Sequence, residues 1–383
     1  MSLQKIGGGV IVEAEGPMGD PEPTSGWNNV APLGTGRYDI AAATDADGQI
    51  YAIGGDSSSG DFMSLVEQYD PSTDTWSTVA SLGTGRQRLA AASDGDGRVY
   101  AIGGEASAND ERAVVERYDS STDTWNEVAS MGTERKYFGA ATDANGRIYV
   151  MGGESQDGFE SSVEQYDPST DTWSTVASLS TVRTDLTAAS DGDGLLYAIG
   201  GGTSSAIFES LVEQYDPSTD TWTTVASLGS AREYLAAASD GDGFVYAIGG
   251  DLGSGTTEIN EEVPIVEQYN PATNTWSEIA SLRAGRNSLA AATDTNGRVY
   301  AIGGESTANE FAPSVERLTF TPTFVDVYSA TGNTLFGIDD PNGILLNRTT
   351  GREVTGGTQL ARDGETIAAV TETNARIYRT EET

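Results

Sequence analysis

The feature that most constrains this chain is an internal repeat of about 49 residues. All six tryptophans fall on it, with spacings of 49, 49, 48, 49 and 54 residues: Trp27, Trp76, Trp125, Trp173, Trp222 and Trp276. An arginine follows each tryptophan by ten residues: Arg37, Arg86, Arg135, Arg183, Arg232 and Arg286. Six Gly-Gly pairs keep the same step, from Gly54-Gly55 to Gly303-Gly304. A fixed period of this length predicts one supersecondary unit per copy, stabilised by its neighbours.

Each copy is predicted to form four short strands, because β-branched and aromatic stretches alternate with turn residues. In the first copy these strands lie around Ile40 to Ala43, Ile50 to Ile53, Leu65 to Tyr69 and Trp76 to Val79. An Asp-Gly sequence favours a tight hairpin between the first two strands. A DPSTDT segment favours a turn closed by its own side chains between the last two. Four-stranded units repeated radially predict an all-β propeller.

The spacing within one copy resembles the Kelch repeat. A Gly-Gly pair follows a hydrophobic strand, a tyrosine comes fourteen residues later (Gly55 to Tyr69), and a tryptophan stands seven residues beyond it at Trp76. The pattern recurs six times between residues 27 and 318, so the resemblance implies a six-bladed β-propeller. Kelch propellers serve many functions, and the resemblance is therefore specific for fold and weak for function.

The phase of the repeat predicts how the ring closes. The first tryptophan strand, Trp27 to Leu33, precedes the first Gly-Gly pair, and the last copy, Arg286 to Leu318, has no tryptophan after it. We expect the N-terminal strand to complete the sixth blade, which removes two open sheet edges. Leu318 stands where the other copies have tyrosine, and this marks the closing blade as atypical.

The predicted domains are an N-terminal arm (1–22), the propeller (23–320) and a small C-terminal β-rich module (321–383). Turn residues divide the module into about five or six short strands, and its length is small for an independent core. We interpret it as an attachment or association module, through which the termini contact neighbouring structural proteins or further copies of the chain. No apolar run reaches the roughly 18 residues of a membrane helix. The first residues do not read as a signal peptide.

The charge composition points to a saline environment. The chain has 58 Asp+Glu against 21 Lys+Arg, a formal charge of -37, and its only lysines are Lys5 and Lys136. High acid content with almost no lysine resembles proteins of halophiles, such as haloarchaea or their viruses, in which like charge maintains solubility and salt screens it. Nucleic acid is disfavoured as a partner, because phosphate binding depends on lysine and arginine.

The absence of histidine and cysteine excludes several classes of chemistry. Disulfides, thiol nucleophiles, Ser-His-Asp triads and His- or Cys-ligated metals all need one of these residues. Oxidases built on Kelch propellers, exemplified by galactose oxidase, need a copper held by histidine and a tyrosine crosslinked to cysteine, so the resemblance does not extend to them. The sequence predicts a protein without enzymatic activity. The alternative is a carbohydrate-active epimerase or lyase that uses tyrosine, arginine and carboxylates at the channel mouth.

The two faces of the propeller differ in how far the copies agree. The turns between first and second strands are nearly uniform: DADG, DGDG, DANG, DGDG, DGDG and DTNG. The loops between second and third strands differ in every copy, and the longest spans Asp251 to Ile265. Recognition usually resides in loops that the fold leaves free. We therefore predict that the face with the variable loops holds a receptor protein or a glycan.

The candidate binding residues belong to this variable face. They are Tyr38, Arg88, Lys136, Tyr137 and Tyr234 at the channel mouth, Arg112 in a neighbouring loop, and Glu258 and Ile259 in the longest loop. Arg88, Arg112 and Lys136 form a basic spot on an acidic molecule. Two interpretations stay open: charge balance with nearby acids, or contact with an anionic or sugar-acid ligand flanked by Tyr137 and Phe138.

The repeated arginines are interpreted differently. Each recurs with a glutamate of the third strand, which favours a buried structural ion pair in every blade: Glu67, Glu116, Glu164, Glu213, Glu267 and Glu316.

The metal candidates are four acids in the repeated turns. Asp45, Asp47, Asp94 and Asp96 have a D-x-D-G spacing reminiscent of calcium loops, but the other ligands of a twelve-residue EF-hand loop are missing. No cofactor is predicted, and weak binding of calcium or another cation is left open.

Taken together, these features predict a non-enzymatic binding module displayed on a larger assembly, the virion or cell surface of a halophile. It would recognise a receptor protein or glycan, with no membrane insertion. An intracellular Kelch scaffold is a second alternative, weakened by the lack of a BTB-like adaptor domain, and a cytoplasmic location is also left open.

Overall fold

The structure is a computed structural model. It describes residues 25–320 except 58–59, 205–206, 241, 253–260, 307–309 and 312, together with short strands nearer both ends. All regular elements in this described part are β-strands, as the sequence predicted. The chain divides into two compact units, Trp27–Leu318 and a second unit made of Met1–Gly26 with Thr319–Thr383.

Six four-stranded antiparallel blades form the propeller. The innermost strands are Ala41–Thr44, Ala90–Ser93, Gly139–Thr142, Thr187–Ser190, Ala236–Ser239 and Ala290–Thr293. The second strands are Ile50–Ile53, Val99–Ile102, Ile148–Met151, Leu196–Ile199, Val245–Ile248 and Val299–Ile302. The third strands are Val66–Asp70, Val115–Asp119, Val163–Asp167, Val212–Asp216, Val266–Asn270 and Val315–Phe320. The outer strands are Thr75–Thr78, Thr124–Val128, Thr172–Val176, Thr221–Thr224, Thr275–Glu278 and, in the sixth blade, Ser25–Val30.

The sixth blade confirms the predicted closure. Its sheet runs from Ser25–Val30 through Val315–Phe320 and Val299–Ile302 to Ala290–Thr293, so the first propeller strand in the chain is the outermost strand of the last blade. The ring is thereby closed by strand pairing between distant parts of the sequence.

The core lies between neighbouring blades. Every residue of the second strand Ile50–Ile53 is fully buried, because both of its faces contact a blade. One interblade cluster joins Tyr51 and Ile53 of the first blade to Leu89 and Val99 of the second. Burying such an aliphatic side chain contributes roughly 1.5–3 kcal/mol, and the interface recurs around the ring.

Each outer-strand tryptophan also links its blade to the preceding one. Trp76 donates from Nε1 to the carbonyl of Ala31 at 2.8 Å, and Asp74 accepts from the Ala31 N–H and the Tyr69 hydroxyl, both at 2.8 Å. Four further blades repeat this arrangement.

The closing blade keeps only part of this link. There Trp27 donates to Ala280 at 3.0 Å, while Leu318 supplies no hydroxyl. The closing blade is thus atypical, as predicted, because its link to the preceding blade lacks the tyrosine hydroxyl.

Short extra strands form on the variable face. They are Glu154–Ser155 with Gly158–Phe159, Gly202–Ser204 with Ile207–Phe208, Arg232–Glu233 with Asp251–Leu252 and Glu261–Glu262, and Glu305–Ser306 with Glu310–Phe311.

The second unit contains short strands only, in its described residues. A hairpin joins Ser2–Ile6 and Gly9–Glu13. The C-terminal strands are Val327–Ser329, Gly332–Asp339, Ile344–Asn347, Arg352–Val354, Leu360–Arg362, Glu365–Ala368 and Tyr378–Arg379. The described residues after 320 thus contain seven strands where about five or six were predicted, and the last of them has only two residues. A helix with the length and hydropathy of a membrane span does not occur in the described part of the chain.

Candidate functional site

The inner strands begin at a closed ring of main-chain hydrogen bonds around the central channel. In every blade, the second residue after the repeated arginine donates its N–H to the carbonyl of the equivalent residue in the preceding blade, at 2.9 to 3.2 Å. The six residues of this channel ring are Asp39, Arg88, Tyr137, Asp185, Tyr234 and Ser288. None is glycine, yet all have positive φ angles of 49 to 56°. Such strain costs about 1–3 kcal/mol per residue and clusters at functional sites.

A second ring explains the repeated Gly-Gly pairs. The N–H of Gly55 donates to the carbonyl of Arg86 in the next blade at 2.8 Å, and Gly304 donates to Arg37 at 3.0 Å to complete the circle. Gly55 has a φ of 98°, and a Cβ there would lie 2.7 Å from the carbonyl oxygen of Tyr38. Only glycine combines this conformation with so close an approach.

The six repeated arginines form a buried support beneath these rings. Arg183 is 0% exposed and donates to Glu213 at 2.6 Å and to the carbonyl of Gly200 at 3.0 Å. Burial lowers the pKa of Arg183, and the paired carboxylate counteracts this effect. Equivalent ion pairs occur in the other five blades. The predicted structural pairs are confirmed, and these cations are not available to a ligand.

The channel encloses a cavity of about 160 Å³. Its mouth is lined by the channel ring, and its walls include small inner-strand side chains such as Ala42, Ala91 and Ala140. In another protein, a cavity of about 150 Å³ holds benzene. The cavity thus has room for a small ligand or the end of a side chain, with its polar groups at one end.

The cations at the mouth are all paired with carboxylates where the first three blades meet. Arg88 donates to Asp39 at 3.0 Å and also to Glu105, and its guanidinium lies 4.5 Å from the ring centroid of Tyr137. Phe138, expected to flank a ligand, is buried in the apolar cluster between the second and third blades. The predicted pair Arg88 and Tyr137 is therefore brought together, with the cation already engaged.

The other two predicted cations are also paired. Lys136 is buried and contacts Glu105 and Glu111, both at 3.0 Å. Arg112 pairs with Asp110 at 2.5 Å within its own loop. Lys136 therefore shares Glu105 with Arg88, whereas Arg112 has a separate partner. These are the contacts that charge balance predicts.

Carboxyls without a cation occupy the mouth on the side of blades four to six. Asp185 is 9% exposed, and its Oδ1 accepts no hydrogen bond from the described residues. Burial and the neighbouring Glu233 raise the pKa of Asp185 well above its usual range. Burial and Asp251 raise the pKa of Glu233 to about 7. In the part of the chain that the structure describes, none of these three carboxyls forms an ion pair with lysine or arginine.

Two tyrosines flank Asp185. In the channel ring, Tyr234 donates its N–H to Asp185, and Asp185 donates to Tyr137. The two tyrosine rings make an edge-to-face contact with centroids 5.7 Å apart. The predicted residues Tyr137 and Tyr234 are thus brought together, around a carboxyl that was not selected from the sequence.

The remaining predicted binding residues lie elsewhere. Tyr38 donates its hydroxyl to Asp56 at 3.3 Å, and its ring packs on Phe311 with centroids 5.2 Å apart. Glu258 and Ile259 lie outside the described residues.

Asp39, Asp185 and Ser288 complete the channel ring and were not selected from the sequence. Asp185 could have been found from the sequence, because it is an acid at the position that Arg88 and Tyr137 occupy in other blades and has no basic residue next to it.

The candidate metal ligands lie at the other end of the inner strands and close hairpin turns. Asp45 accepts the N–H of Asp47 at 3.0 Å and the hydroxyl of Tyr51 at 2.8 Å. Asp94 accepts the N–H of Asp96 at 2.9 Å in the same way. Across the described residues, no three acidic side chains converge in a way suited to a metal ion. Weak calcium binding stays a prediction.

Comparison with known proteins adds the following similarities. A model described as the KLHDC2/KLHL20/DRC7 Kelch-repeats domain matches residues 40–250, and a Kelch motif model matches residues 241–283. Among many matching solved structures, one titled "Structure of YjhT" has a TM-score of 0.64 at 16% identity and covers 83% of this chain and 99% of its own. At this identity, the likeness shows the fold alone. No curated protein matches the chain.

Proposed function

This chain belongs to the Kelch-repeat family of β-propellers, and we propose that it is a non-enzymatic binding module that holds a receptor on its variable face. Kelch propellers are commonly protein-binding scaffolds. We take a protein as the receptor, with a surface glycan as the other outcome of the test.

One observation carries this proposal: among the described residues, buried hydrogen-bond acceptors without a donor are concentrated on the variable face. Seven buried side-chain oxygens lack a partner in the described residues, and only that of Thr44 lies at the opposite end of the inner strands. The other six belong to Asp56, Gln87, Glu111, Thr184, Asp185 and Glu262. Native proteins leave few such atoms unsatisfied. A docked partner would supply the missing donors.

The setting that we propose is the cell surface or virion of a halophile. The formal charge of -37 and the near absence of lysine support a high-salt environment. In this proposal, the unit formed by both termini attaches the propeller to neighbouring structural proteins, and the variable face is offered to the receptor. A cytoplasmic scaffold would use the same face.

The test is binding of the fluorescently labelled full chain to haloarchaeal cells in molar salt. We expect saturable binding that protease treatment of the cells abolishes, whereas a glycan receptor would be lost on glycosidase treatment. A double variant on the variable face, Asp185→Asn with Tyr234→Asn, should bind weakly. The exposed turn variant Asp47→Asn should bind normally. Equal binding by both variants, or no binding to any cell envelope, would overturn the proposal.

A carbohydrate-active epimerase or lyase is the second candidate, favoured by one observation. Asp185 and Glu233 are neighbouring buried carboxyls whose pKa values are both raised, and such pairs serve as acid and base in enzymes. Incubation with a panel of sugar acids, followed by NMR, separates the two functions. Turnover by the wild type that is lost in Asp185→Asn would establish the enzyme and displace the binding proposal.

A further inference from the structure

We propose that the channel mouth binds the cationic end of a basic side chain from a protein partner, held against Asp185 and the ring of Tyr234. This binding mode rests on the proposed function and specifies the chemistry of its partner.

The first argument is the uneven distribution of charge around the mouth. Arg88 and Lys136 are both paired with carboxylates of the first two blades. On the opposite side, Asp185, Glu233 and Asp251 have no cation among the described residues. Asp251 accepts hydrogen bonds from Asn287 at 3.0 Å on both oxygens, whereas the Oδ1 of Asp185 accepts none from the described residues. A buried carboxylate oxygen without a partner is costly. An incoming ammonium or guanidinium group would supply the missing charge-assisted hydrogen bonds.

The second argument is the placement of the tyrosines. The face of a tyrosine ring attracts a cation within about 6 Å of its centroid. Tyr137 already shows this behaviour, with the Arg88 guanidinium at 4.5 Å and the Lys136 ammonium at 5.8 Å from its centroid. Tyr234 stands on the other side of Asp185 and has no such cation in the described structure. A ligand cation beside Asp185 would reach this unused ring.

The third argument is that the site is already formed. The main-chain ring fixes Asp185, Tyr137 and Tyr234 in position, so that little ordering is needed on binding. A side chain entering from the variable face meets these groups first. The walls beyond are mostly alanines, and their one hydroxyl, that of Thr187, carries no charge, so the cationic head would stop at the charged mouth.

The binding experiment uses two probes with the purified full chain, n-butylammonium chloride and n-propylguanidinium chloride. Each is titrated by calorimetry and by NMR. We expect saturable binding of at least one probe, and preference between the two identifies a lysine-like or an arginine-like partner group.

Two variants and one control locate the probe. Asp185→Asn is isosteric, and asparagine tolerates the left-handed backbone, so it should remain folded and bind at least tenfold more weakly. Asp47→Asn makes the same charge change at an exposed turn and should bind as the wild type does. Tyr234→Asn keeps the carboxyl, removes the ring and should weaken binding roughly three- to fivefold.

Several outcomes overturn the proposal. The first two are absence of probe binding to the wild type and unchanged probe binding in Asp185→Asn. The third is stronger binding of butyrate than of either cationic probe. The fourth is displacement of the probes by KCl at the same concentration, which would indicate a site for inorganic cations. If the probes fail while labelled protein still binds cells, the proposed function stands without this binding mode. If the probes bind while the labelled protein does not bind cells, the binding mode stands and the proposed function does not.

Discussion

Replacing Glu213 by glutamine tests how the blades are held together. Glu213 is 1% exposed and contacts the fully buried guanidinium of Arg183 at 2.6 Å. The variant keeps the shape of the side chain and leaves a buried cation without its counter-charge. The carbonyls of Gly200 and Leu211, at 3.0 and 3.1 Å from the same guanidinium, carry no full charge to replace it. We expect the free energy of unfolding to fall by about 3–5 kcal/mol.

An exposed pair provides the matched control. Arg112 and Asp110 are 43% and 41% exposed at their side chains, so Asp110→Asn should cost no more than about 1 kcal/mol. Salt separates the two cases further, because the screening length falls to about 3 Å in molar salt. The small effect of Asp110→Asn should vanish there, while that of Glu213→Gln should persist.

The assay is equilibrium unfolding in urea, followed by both tryptophan fluorescence and far-UV circular dichroism, at low and at molar NaCl. Coincident transitions would justify a single free energy of unfolding. A loss below about 1 kcal/mol for Glu213→Gln, or one that disappears with salt, would refute the argument from an uncompensated buried charge.

Three further predictions concern other parts of the propeller. Burial and a neighbouring carboxylate raise the pKa of Glu233 from 4.5 to about 7, so its proton stabilises the fold at low pH and this stability is lost as pH rises through 7. Glu233→Gln should therefore be more stable relative to wild type at pH 8 than at pH 5 in thermal melts, and an equal difference at both would contradict this. Tyr166→Phe removes a 2.8 Å hydrogen bond to Asp171 and should cost about 1 kcal/mol in urea unfolding. Leu318→Tyr should give no gain, because Ser25 stands two residues before Trp27, at the position from which Asp74 accepts the tyrosine hydroxyl in the first blade. Deleting residues 1–30 removes the outer strand of the sixth blade and exposes an open edge, so size-exclusion chromatography should show association, and a stable monomer would argue against the closure.

Blade number and ring closure were predictable because each copy carries its own markers. Trp27 without a preceding unit, and a last unit without a tryptophan, reveal that the two ends share one blade. The ion pair of Arg183 and Glu213 was predictable for the same reason, since one local arrangement is repeated around the ring.

The distribution of charge at the mouth could not be predicted from sequence. Whether Arg88 reaches Glu105 depends on the lengths and directions of side chains from two different blades. That the Oδ1 of Asp185 has no partner among the described residues depends on six distant segments that meet at one axis. The left-handed backbone of Tyr137 and Tyr234 is imposed by the ring against their own preference, so local sequence gives no sign of it.

The ring around the channel also bears on how such a molecule diversifies. Its hydrogen bonds come from main-chain atoms alone, so closure does not depend on which side chains are displayed: here two aspartates, an arginine, two tyrosines and a serine. Each position is contributed by a different blade, so a substitution at one leaves the main-chain hydrogen bonds at the others in place. In proteins with such a ring, binding specificity can therefore change one ring residue at a time. What limits these substitutions is the cost of the left-handed backbone at each position and not the stability of the blades.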